Sequence, residues 1–133
     1  MAEFKAQADK ESSTTEKKYS MFVGRWQPLH KGHLWLINER LKEGKNVWLA
    51  IRDVKPDDKN PWTAEQIQDM VHEGELKDLI ADGRVVTSII PDIESINYGR
   101  GVGYDIIEHI PPVEIGDISA TSIRNQMRKD GKL

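Results

Sequence analysis

The chain predicts a Rossmann-like α/β fold, a doubly wound parallel sheet in a single compact domain, and three observations carry that expectation. Apolar runs of strand length alternate with segments of helical periodicity between residues 21 and 90, the order from which right-handed βαβ units are built. The second run, Val47-Trp48-Leu49-Ala50-Ile51, is apolar without alternation, as in strands covered on both faces of a parallel sheet. A length of 133 residues supports one core between a small sheet and its helices.

Residues 1–20 are expected to form a flexible tail ahead of a domain over residues 21–133. Lys, Glu, Ser, Thr and Ala dominate that stretch, and Phe4 is its only large apolar residue before Tyr19. Such a composition buries too little surface to offset its ordering entropy. A short helix from Ala2 to Lys10 is the alternative. The first strand is placed over Ser20 to Gly24. A helix follows from His30 to Glu43, with Leu34, Ile37 and Leu41 at helical spacing and Gly44 as its stop.

Asn46 to Arg52 forms the second strand. Thr63 to Ala81 reads as a second helix: Thr63 caps it, Glu65 and Gln66 sit in its first turn, and Ile67, Met70, Val71, Leu76, Leu79 and Ile80 mark its buried side. Gly74 weakens its middle. Val85 to Ile90 is a third strand, stopped by Pro91. Tyr104 to Ile110 reads as a short strand or a helix, and Ser119 caps a final helix.

Composition removes several function classes. The formal charge of -3 gives no basic footprint of the nucleic-acid-binding kind. No cysteine is present, which excludes disulfides and thiolate metal sites within the chain. No apolar run approaches a membrane span and no signal-peptide pattern opens the sequence. A soluble, cytoplasmic protein is expected, without nucleic-acid or membrane partners.

The chemistry concentrates between the first strand and first helix, in Gly24-Arg25-Trp26-Gln27-Pro28-Leu29-His30-Lys31-Gly32-His33. A glycine ending a buried strand permits close approach of a ligand, and a helix start offers free N–H groups to an anion. His30 and His33, three residues apart, share a face, so both rings can converge on one phosphate with Gly32 leaving room between them. Arg25 adds a guanidinium suited to phosphate oxygens. The bland reading is a pair of capping histidines beside a solvated arginine. A second anion site is indicated at Ile118-Ser119-Ala120-Thr121-Ser122-Ile123-Arg124, where Ser119, Thr121 and Arg124 gather at a helix start. Alone it reads first as an ordinary capped helix with a basic, exposed end.

Taken together, the two segments resemble the nucleotidyltransferase superfamily with an HxGH loop after its first strand and an ISxTxxR loop late in the chain. Gly24-Arg25-Trp26-Gln27-Pro28, His30 and Gly32-His33 are most similar to the GRFQPxHxGH opening of archaeal-type nicotinamide mononucleotide adenylyltransferases. Asn60-Pro61-Trp62-Thr63-Ala64 is similar to their NPFT segment. The glycerol-3-phosphate cytidylyltransferases share HxGH and the late loop but open with a GTFDxxHxGH pattern. Three departures stand out: Gln66 and Ile67 occupy the place of a Glu-Arg pair, Ala120 replaces a usual glycine, and only residues 91–117 separate Ile90 from Ile118.

The resemblance implies transfer of a nucleotidyl group, AMP from ATP ahead of CMP from CTP, to a phosphate-bearing acceptor such as nicotinamide mononucleotide, with Mg²⁺ bridging the phosphates and pyrophosphate released. It implies that His30, His33 and Arg124 are catalytic, with His33 stabilising the transition state. Gly24, Arg25, Gly32, Ser119 and Thr121 would bind the nucleotide. Acceptor candidates are Arg52 and Asp53, which follow buried strand residues, Trp62 in its loop, and Arg100 in the Gly99-Arg100-Gly101-Val102-Gly103 segment. Tyr98 or Tyr104 there is suited to stack on a ring, Trp26 or Trp62 to flank one, whereas Trp35 and Trp48 read as core and His109 as structural. Other readings stay open: a CTP-dependent enzyme acting on a polyol phosphate, a nucleotide-binding regulator without transferase activity, and a plain structural domain. A homo-oligomer covering apolar edges fits a small sheet.

Overall fold

The computed structural model describes residues 17–101 and 103–133. The alternative helix from Ala2 to Lys10 and most of the expected tail lie outside those residues. Three parallel strands, β1 (Tyr19–Gly24), β2 (Asn46–Asp53) and β3 (Val85–Pro91), form one sheet in the order β1-β2-β3. In register, Phe22 lies beside Leu49 and Leu49 beside Thr87. Parallel neighbours need a crossover. Helix α1 (Lys31–Leu41) supplies the first, and α2 (Ala64–Glu73) with α3 (Lys77–Ala81) the second. After β3, the short α4 (Val113–Gly116) precedes α5 (Ala120–Lys129).

The core explains why β2 is apolar from Val47 to Ile51. Val47, Leu49 and Ile51 are fully buried on one face of the central strand, against Ile37 and Leu41 of α1 and Ile67 and Val71 of α2. Burying such a side chain contributes about 1.5–3 kcal/mol relative to leaving it exposed. Ala50, on the opposite face, is buried too. This is the Rossmann-like parallel α/β architecture that the alternation predicts, in one compact unit. Both crossovers step the same way, so among the described residues β1 and β3 are the sheet edges. No helix among the described residues is long and apolar enough to cross a membrane.

Several boundaries differ from expectation. Strand β1 begins at Tyr19, one residue ahead of the expected Ser20 and within the stretch assigned to the tail. His30 stands outside α1 as its N-cap, and the helix ends at Leu41. The long helix expected over residues 63–81 is two. Gly74 adopts φ -94 and ψ -153, an extended conformation that ends α2, and α3 starts afresh at Lys77. Leu76, in the turn between them, is still delivered to the core. Met70, expected on the buried side, is exposed. Trp35 and Trp48 are half-buried outside the core cluster. Tyr104 to Ile110 is neither strand nor helix, and Ile106, Ile107 and Ile110 remain exposed.

Candidate active site

Strand β1 delivers the chain to the carboxyl edge of the sheet at Gly24, and Trp26 then turns it back. Trp26 has φ 54, a left-handed conformation that costs a non-glycine residue about 1–3 kcal/mol. Burial of its indole, and donation by the indole N–H to the carbonyl of Ala50 at 3.0 Å, offset that cost. The folded ring also explains Gly24: a Cβ there would lie 2.9 Å from the indole. The space beside Gly24 is therefore filled by Trp26, whose indole belongs to the core and also borders the cavities at this edge.

The two histidines close a reciprocal cap on α1. His30 Nδ1 accepts from the backbone N–H of Gly32 at 3.0 Å, and His33 Nδ1 accepts from the backbone N–H of His30 at 3.2 Å. With both Nδ1 atoms accepting, the neutral rings carry their hydrogens on Nε2. The rings stack with centroids 3.7 Å apart, and His33 meets Trp26 edge-on at 4.8 Å. Burial, reinforced by the charge of a protonated His30, lowers the His33 pKa to about 4; burial alone lowers that of His30. Both are neutral hydrogen-bond donors at neutral pH. Gly32 serves this stack, because a Cβ there would meet His30 Cε1 at 2.9 Å. Its missing side chain makes room for the His30 ring.

At the other end of the domain Ser119 caps α5, its Oγ accepting from the N–H of Ser122 at 3.1 Å and donating to Ser122 Oγ at 2.9 Å. Arg124, one turn on, is buried and donates to the carbonyl of Gln27 at 2.6 Å and to Thr121 Oγ1 at 3.4 Å. Burial lowers its pKa, and the nearby charges of Arg128 and Arg25 lower it further. Guanidiniums gathered this closely favour an anion among them.

These pieces meet in a cavity of about 390 Å³. The first loop contributes Gly24 and Arg25, α1 contributes His33, and α5 contributes Thr121 and Arg124. Arg52, at the end of β2, is the acceptor candidate that reaches it. Its guanidinium is also held by Asp92 Oδ1 at 2.7 Å and by the carbonyl of Ile93 at 3.0 Å. His30 instead faces an adjoining, largely apolar cavity of about 560 Å³. Ser119 lines neither, its hydroxyl being engaged in capping. Asp53, Trp62 and Arg100 line neither cavity; Asp53 and Arg100 are exposed and Trp62 packs against the core.

Three residues of the site were not singled out from the sequence. Gln27 is buried and clamps the Trp62 peptide from both sides, its Nε2 donating to the carbonyl at 2.9 Å and its Oε1 accepting from the N–H at 3.1 Å. Lys59 and the buried Asn60 line the polar cavity. Their position beside the Asn60-Pro61-Trp62-Thr63 segment was the one available signal. Asp57, in the same loop, spends its carboxylate on the backbone: Oδ1 accepts from the N–H groups of Lys59 and Asn60, both at 2.8 Å. Those bonds hold its pKa below the usual carboxylate range.

Residues 21–109 match a family model described as cytidylyltransferase-like; the Ile118–Arg124 segment lies beyond the matched stretch. A nicotinamide-nucleotide adenylyltransferase of Caldivirga maquilingensis is 29% identical over 97 residues, covering 71% of this chain and 53% of that protein. One of the same name from Pyrobaculum arsenaticum is 35% identical over 77 residues, covering 56% of this chain and 43% of that protein. The chain thus spans about half the length of these curated relatives. A crystal structure of a bifunctional NMN adenylyltransferase/ADP ribose pyrophosphatase from Francisella tularensis, complexed with AMP and an Mn ion, is 35% identical with a TM-score of 0.46, covering 57% of this chain and 23% of that one.

Proposed function

Since this chain belongs to the cytidylyltransferase-like family, we propose that it transfers an adenylyl group from ATP to a phosphate-bearing acceptor such as nicotinamide mononucleotide, releasing pyrophosphate. The observation that carries this reading is the polar cavity itself: a neutral His33 faces a space lined, among the described residues, by Arg25, Arg52, Lys59 and Arg124 and by no carboxylate. Such a lining suits polyphosphate and repels little of it. The names of the two relatives support ATP and nicotinamide mononucleotide as the substrate pair.

In the proposed reaction an oxygen of the acceptor phosphate attacks the α-phosphorus of ATP. The new P–O bond forms as the bond to the β-phosphate oxygen breaks, and that electron pair leaves with pyrophosphate. The Nε2–H of His33 donates to the phosphoryl oxygens as their charge develops. Arg124 and Thr121 hold the departing phosphates, and the Gln27 carbonyl holds Arg124 in place. Catalysis of this kind is positioning and charge stabilisation rather than covalent chemistry. Mg²⁺ would enter with the triphosphate and supply further charge neutralisation there; among the described residues no carboxylate lines the cavity.

Exposed Met21, Ile106 and Ile110 support a homo-oligomer, and we place the protein in the cytoplasm. A CTP-dependent enzyme acting on a polyol phosphate is the rival reading, favoured by the family's description. Competition binding separates the two: ATP displacing a fluorescent nucleotide at lower concentration than CTP supports adenylyl transfer, and the reverse order supports the rival.

A further inference from the structure

We propose that Trp26 is a positioning residue for the transfer: its indole is the partition between the two cavities and aims the His33 ring into the polar one. This rests on the transferase reading above. A core role alone does not account for Trp26. Among the described residues it is the one non-glycine residue with a positive φ, whereas an apolar side chain on unstrained backbone fills a core equally well. Backbone strain of this kind persists where the surroundings over-determine it, and it clusters at functional sites. Here the left-handed turn folds the indole back over Gly24 and beside His33.

The indole is itself fixed. Its N–H donates to the Ala50 carbonyl of β2 at 3.0 Å, and a Gly24 Cβ would lie 2.9 Å from its Cε2 and 3.0 Å from its Cζ2. Its plane stands at 89° to that of the His33 ring. A ring so anchored limits where the imidazole can lie. The Nδ1 bond to the His30 N–H, at 3.2 Å, is at the long end of the hydrogen-bond range and is a weak hold by itself. Trp26 also lines both cavities, the polar one with His33 and the apolar one with His30. A side chain smaller than the indole would join them and leave the imidazole room to tilt away from the phosphates.

The same partition keeps water from the inner side of His33. Burial is the larger cause of its lowered pKa, and the indole supplies part of that burial. The titratable and charged groups that face the ring are His30 and Arg25 of its own loop, Arg52 and Lys59 from β2 and the loop after it, and Arg124 from α5. Each is cationic or becomes so on protonation, so none favours an imidazolium. Opening the partition removes burial and leaves these charges in place. The ring then titrates closer to its ordinary value, and it is aimed less well.

The test measures kcat and KM for ATP, with nicotinamide mononucleotide as acceptor, and the NMR titration of His33, in the full chain and in three variants. Trp26→Phe keeps an aromatic edge and loses the bond to Ala50, Trp26→Leu loses both, and Gly24→Ala keeps the indole but displaces it. For Trp26→Leu and Gly24→Ala a misplaced donor predicts a roughly 10- to 100-fold fall in kcat, with KM for ATP nearly unchanged. The His33 titration and the acidic limb of the kcat profile are expected to move together from about 4 toward 6.5, and Trp26→Phe to recover most of both losses. Where Trp26→Leu does not fold, Gly24→Ala carries the same readouts. A His33 titration unmoved in the variants, or a loss confined to KM for ATP, overturns the role. A moved titration in a chain that releases no pyrophosphate with any acceptor keeps the positioning of His33 and removes the transferase reading; acceptor-dependent release with kcat and titration unmoved in the variants does the opposite.

Discussion

His33 is fixed by three contacts: Nδ1 accepts a backbone N–H, one face stacks on His30, and the indole of Trp26 meets it edge-on. With Nδ1 so engaged, the ring offers Nε2–H, the donor that the proposed chemistry uses. His33→Ala is expected to lower turnover by ~10²–10³-fold while changing triphosphate affinity only a few-fold; single-turnover kinetics beside a binding titration checks this. The pKa sets the pH dependence. In the folded state His33 titrates near 4 and His30 below its usual value, so the unfolded chain binds more protons between pH 4 and about 6.5. Their contribution to stability is complete above pH 6.5 and declines as pH falls through that window. Urea midpoints between pH 4 and 8, compared with those of His33→Gln, measure it. The pair was legible in the sequence because the spacing is local. The stack was not, since it depends on His30 leaving the helix to act as its cap.

At the scale of elements, the two phosphate loops are held together by bonds that span most of the chain. Arg124 of α5 is anchored on the Gln27 carbonyl, and the Gln27 side chain grips the peptide of Trp62 just ahead of α2. Gln27→Leu frees Trp62 and leaves buried peptide groups unpaired, at a cost of about 1–3 kcal/mol; a lowered urea midpoint together with a raised KM for acceptor is the expected signature. Ser119→Ala removes the cap of α5, a loss of about 1 kcal/mol, and chemical denaturation reads it directly. Elements were legible where period and caps agreed, as for β2, Thr63 and Ser119. Expectation failed at Gly74, whose extended backbone divides one predicted helix into α2 and α3. It failed again at Tyr104 to Ile110, where an apolar run joins no ladder. Periodicity reports which residues are apolar, not whether a partner exists to cover them.

For the whole molecule, the sheet brings residues from positions 24, 33, 52, 59, 121 and 124 to one cavity at its carboxyl edge. Strand alternation placed the first loop at that edge, as parallel sheets do with their ligands. Convergence of Lys59 and Gln27 on the same place had no local signature, because neither belongs to a period or carries an obvious role alone. The exposed apolar side chains concentrate between Ile96 and Val113, in a segment only partly within the matched residues 21–109. Adenylyl transfer stands or falls on acceptor-dependent pyrophosphate release. With Mg²⁺ present, ATP and CTP are each offered with nicotinamide mononucleotide, phosphopantetheine or glycerol 3-phosphate. Release from ATP that requires nicotinamide mononucleotide is the predicted result; release from CTP alone, or nucleotide binding with no release from any acceptor, contradicts it.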